Sequence, residues 1–150
     1  MGERIEVWYP PVLGVVAAIA YLQFLGSYSL PETTKDLLAA VINLAAIAIG
    51  FLATVKSLLV SLSSRADVAW LIKGEFFGRF QRYVFQAIYA AFVVAIASAV
   101  LLLLLKPIGE LPWWPRLAAA YVGLVIFTGA AMFRVISVFA LVLQVPSKDD

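Results

Sequence analysis

Four apolar runs, at residues 12–30, 37–55, 83–105 and 117–145, constrain what this chain can fold into. Each meets or exceeds the roughly 17–25 residues that cross about 30 Å of hydrocarbon at 1.5 Å per residue. Strands of a membrane barrel alternate polar and apolar residues over about ten positions; these runs are apolar on every side. The 150 residues are 64% hydrophobic and 13% charged, against about 45–50% and 25% in a soluble domain. So few polar groups leave most of the surface to be covered by lipid rather than water. The expectation is an all-α, integral membrane four-helix bundle forming one domain, with helices at about 10–30, 36–62, 80–105 and 116–145. The first run is longer than the 7–15 residues of a signal-peptide core and has only Arg4 as a basic flank, so it is expected to be a retained helix.

Punctuation between the runs sets the helix ends. Pro10-Pro11 suits a first helical turn, where a missing N–H costs nothing, and Trp8 and Tyr9 suit the headgroup layer just before it. Thr33 or Thr34 can cap the second helix, and the short link ahead of them predicts that the first two helices are antiparallel neighbours. Lys106-Pro107 predicts the end of the third helix. The turn that follows carries Trp113 and Trp114, a tryptophan pair expected at the interface. With the N-terminus inside, the cytoplasmic side holds Arg4, Lys56, Arg65, Lys73, Arg79, Arg82, Arg134 and Lys148, and the other side holds Lys35, Lys106 and Arg116. Eight against three places both termini in the cytoplasm. Between helices two and three, Ile72, Phe76, Phe80 and Val84 recur at four-residue spacing among Arg65, Lys73, Arg79 and Arg82. That pattern predicts a short amphipathic segment on the cytoplasmic interface, touching anionic headgroups or a protein partner, although any positive-inside loop shares its composition.

The residues that usually carry chemistry are missing from the runs. The chain has no cysteine and no histidine, and no Asp or Glu falls inside an apolar run. Proton-coupled transport draws on intramembrane carboxylates or histidines, and hydrolysis needs a nucleophile with a base, a carboxylate pair or a metal. Neither is provided for, so no catalytic residue, metal or cofactor is expected. The formal charge of +2 gives no reason to expect nucleic acid.

Three groups of residues remain. Lys56 and Arg134 interrupt helices two and four at similar depth, 20 residues after Asp36 and 18 after Arg116. They fit either snorkelling anchors or a basic ring, formed in an oligomer, that contacts anions or lipid phosphates. Small residues recur at four-residue spacing: Ala87, Ala91, Ala95 and Ala99 on helix three, Ala46 and Gly50 on helix two, Ala119 and Gly123 on helix four, Gly14 and Ala18 on helix one. Such spacing lets helix backbones approach closely where lipid supplies no hydrophobic drive. Gln23 and Asn43 are the costly polar residues inside runs and are expected to find partners on other helices.

The stretch Gly50-Phe51-Leu52-Ala53-Thr54-Val55-Lys56-Ser57-Leu58-Leu59, followed by the basic, aromatic connection and helix three, resembles small bacterial four-helix membrane proteins, some of them in anti-phage defence systems. The resemblance covers roughly residues 50–105 and rests on hydropathy and a few small or hydroxyl residues. It implies an inner-membrane sensor or effector working with a soluble partner. The expected function is that of a non-enzymatic homo-oligomer that forms a pore, perturbs the bilayer or senses its state. The alternative is an anchoring subunit that recruits a cytoplasmic partner through residues 65–82. A small transporter ranks below both, for want of buried carboxylates.

Overall fold

The computed structural model describes residues 2–24, 33–63, 75–109 and 112–143. They form α1 (Gly2–Phe24), α2 (Thr34–Ser63), α3 (Glu75–Gly109) and α4 (Trp114–Leu143). The protein is an all-α membrane protein. Three helices are long and apolar enough to cross a membrane, over Thr34–Leu58, Gly78–Leu104 and Trp114–Ala140. In the most apolar 18 residues of each, only 28%, 33% and 33% are buried inside the protein, so the remaining apolar surface has to meet lipid or another protein chain. In α1 the apolar stretch is Trp8–Phe24, at the short end of what spans hydrocarbon.

The helices pair as a row. α1 packs along α4, α4 along α3, and α3 along α2. The short link did not make α1 and α2 close neighbours, and the reason lies in Gly14 and Gly123. A Cβ added to Gly14 would stand 2.8 Å from the Gly123 carbonyl oxygen, and one added to Gly123 would stand 2.7 Å from the Gly14 oxygen and 3.0 Å from the Ala18 Cβ. Real Cβ atoms do not approach so closely, so the α1–α4 contact exists only between two glycines, each presenting a Cα hydrogen to the other's carbonyl. α1 and α2 come together chiefly at one end, where Tyr21, Leu38, Leu101 and Trp114 supply one residue from each helix around Ala118. At the other end Leu52 and Val55 of α2 meet Phe80, Val84 and Ala87 of α3 and Ala131 and Val135 of α4.

Several boundaries differ from expectation. α1 begins at Gly2 and runs through Pro10 and Pro11 rather than opening on them. Each proline frees a carbonyl one turn back, at Glu6 and Val7, in the polar stretch before the apolar run where water can pair it. α3 begins at Glu75, so Phe80 and Val84, expected on the interface, are 3% and 2% exposed in the bundle core. No proline interrupts 75–83, and the spacing of Phe80, Val84 and Ala87 merges with the packing seam. α3 also continues past Lys106-Pro107 to Gly109. Arg65, Ile72 and Lys73 lie outside the described residues. The tryptophan pair splits: Trp113 is exposed, whereas Trp114 is buried in the four-helix cluster.

Candidate functional site

The two intramembrane cations both stand against α3. Arg134 is 6% exposed. Its Nη2 donates to Gln86 Oε1 at 2.7 Å, and its guanidinium lies 3.9 Å from the Tyr83 ring centroid. Lys56 is half-buried, with Nζ 4.3 Å from the centroid of Phe85. Tyr83 and Phe85 are two positions apart, so the cations lie at nearly one depth, as their spacing implied. Two positions are also about 160° apart around a helix, which puts Arg134 and Lys56 on opposite flanks of α3. Within one subunit they do not form a common basic pocket. Gln86 was not singled out in the sequence. A carboxamide four positions into the third apolar run, level with Arg134, was the available signal.

The small residues sort into used and unused. Ala87 and Ala91 are fully buried, Ala95 is half-buried and Ala99 is exposed. A four-residue step advances the chain about 40° beyond a full turn, so the alanine ridge rotates out of the contact. The buried seam instead passes through Val94, Ser98 and Leu101. Ala119 and Gly123 are buried on α4. Ala46 and Gly50 of α2 are exposed, and nothing lies within 4 Å of a Cβ built on Gly50.

Most hydroxyls satisfy themselves. Thr54, Ser57, Thr128 and Ser137 donate to the carbonyl four residues back, at 2.8–3.0 Å. Ser98 donates to Val94 O at 2.7 Å and also meets Tyr121 Oη at 2.7 Å, a polar clasp between α3 and α4. Gln23 and Asn43 do not behave as expected: both are exposed, and among the described residues neither side chain has a hydrogen-bond partner. Asn43 lies nine residues into the α2 span, about 14 Å from its start.

Asn43 belongs to a pattern. Asp36, Ala39, Asn43, Ala46, Gly50, Ala53 and Ser57 follow one another at alternating three- and four-residue steps, and all seven are exposed. They make a continuous strip with a heptad period that winds slowly around the helix, about 140° around α2 from the core positions Leu38, Ala45, Leu52 and Val55. The strip is about 32 Å long, the thickness of the hydrocarbon layer. One set of heptad positions holds Asp36, Asn43, Gly50 and Ser57; the other holds Ala39, Ala46 and Ala53. No metal-ligating cluster occurs among the described residues. Comparison with known proteins finds no matching family model, no matching curated relative and no matching solved structure.

Proposed function

We propose that this chain is a non-enzymatic, self-associating membrane protein in which the outward strip of α2 meets α2 of further copies, and which acts by opening or perturbing the bilayer. The observation that carries this is the strip itself. A helix face turned to lipid gains nothing from Asn43, Gly50 and Ser57, because a carboxamide in hydrocarbon without a partner is costly and glycine weakens the helix. Facing another copy, the same residues allow close backbone approach, as Gly14 and Gly123 do within the subunit, and give Asn43 an identical side chain to bond. α2 stands at the end of the helix row, where a second copy can reach it. With three or more copies, Asp36, Asn43, Gly50 and Ser57 would line one polar path across the membrane. The resemblance to bacterial defence proteins adds a setting: an inner-membrane effector that a soluble partner triggers.

The chain has no cysteine, which makes the test direct. Gly50→Cys in native membranes should cross-link between subunits on mild oxidation, while Phe92→Cys, also exposed but on α3, should not. In a planar bilayer, the Gly50→Cys protein should conduct, and a thiol reagent should lower that current. Cross-linking no better at Gly50 than at Phe92 would remove the α2 interface. A current indifferent to modification would remove the conduit.

A further inference from the structure

We infer that Lys56, Arg82 and Phe85 form a binding site for the phosphate of an anionic phospholipid, in the leaflet that borders the connection between α2 and α3. Lys56 reaches from α2 across to α3 and rests its ammonium on Phe85. Arg82 is exposed one turn further toward the start of α3, about 60° around the helix from Phe85. The ring thus lies between a lysine on one helix and an arginine on the next. Arg134, the other intramembrane cation, is buried on the opposite flank against Tyr83 and Gln86, so the second cation of this site is Arg82.

The surroundings fit a lipid. Gly78, one turn before Arg82 on the same face, is exposed with open space around it, which leaves room for a headgroup. Tyr89 and Phe92 continue the face toward the bilayer centre and are 69% and 55% exposed, an apolar path for an acyl chain. Lys56 and Arg82 thus bring two cations to one lipid-facing edge at headgroup depth. A phosphodiester matches that pair, accepting from the ammonium and from the fork of the guanidinium. Lys56 lies about 100° around α2 from the small-residue strip, so the lipid site does not depend on self-association.

The test is native mass spectrometry of the full chain released from detergent, with phosphatidylglycerol and phosphatidylcholine added as competing probes. Wild type should retain phosphatidylglycerol in preference to phosphatidylcholine. Lys56→Gln and Arg82→Gln should each lower that retention about fivefold, the factor for one basic contact at a membrane surface. The double variant should fall little below either single one, because both side chains hold one phosphate. Lys56→Arg should stay within about twofold of wild type, and Arg116→Gln, exposed at the other end of the bundle, should change nothing. Arg82 is exposed, so Arg82→Gln tests the site without disturbing the core. Equal losses from Arg116→Gln and Arg82→Gln, or no loss from Arg82→Gln, would overturn the site and leave only general attraction of basic residues to anionic lipid.

Discussion

At the scale of single residues, Arg134 shows what a charge in a membrane helix needs. A central arginine costs roughly 2.5–3.5 kcal/mol on insertion scales, and one nearer the interface, like Arg134, costs less. Here a 2.7 Å bond to Gln86 and the face of Tyr83 offset that cost, and both partners come from one turn of α3. The pair therefore ties α4 to α3 at the depth where Lys56 ties α2 to α3 through Phe85. Gln86→Leu removes the 2.7 Å bond to a buried guanidinium, so it should destabilise the bundle by about 1–3 kcal/mol. Unfolding in mixed micelles, followed by helix content, measures this; an unchanged midpoint would mean that Gln86 does not hold Arg134. Residue by residue, the sequence announced the cost of Arg134 but not its partner, because the two positions are 48 apart and one carboxamide in an apolar run reads as incidental.

Between elements, glycine decides which helices pair. Gly14 and Gly123 bring α1 against α4, whereas Gly50 touches nothing inside the subunit. Gly123→Val should therefore split α1 from α4 and cost about 1–3 kcal/mol, the usual penalty for overpacking. Gly50→Ala should leave the isolated subunit as stable or slightly more so, since alanine favours the helix by about 1 kcal/mol. Mixed-micelle unfolding of the two variants side by side checks this, and equal losses would contradict the contrast. The same comparison shows what was legible. Small-residue spacing marked Gly14, Ala18, Gly123, Ala87 and Ala91, all of which the structure uses or half-buries. It marked Ala46, Gly50 and Ala99 equally well, because a spacing of four says that neighbours can come close without saying which face has one. Link length misled in the same way: a short link permits adjacency, but the Gly14–Gly123 contact claims α1 for α4.

For the whole molecule, alternation of the helices fixes which ends lie together, and charge then predicts the sides. The starts of α2 and α4 share one end, where Leu38 meets Trp114, and the start of α3 lies at the other, where Phe80 meets Leu52 and Val55. α3 has 35 residues and is about 52 Å long, well beyond the roughly 30 Å of hydrocarbon, so its ends project. Arg79 and Arg82 are on the projecting turns at its start, and the excess of basic residues predicts that this end faces the cytoplasm. Apolar length alone carried the class, the helix number and this alternation, since a chain that crosses must come back. In whole cells, an impermeant maleimide should label Thr33→Cys and Pro112→Cys, both exposed at the outer end, and should reach exposed Gly78→Cys only after permeabilisation. The reverse pattern would invert the molecule and move the lipid site to the outer leaflet. Labelling of all three in intact cells would be incompatible with helices that cross the membrane in alternation.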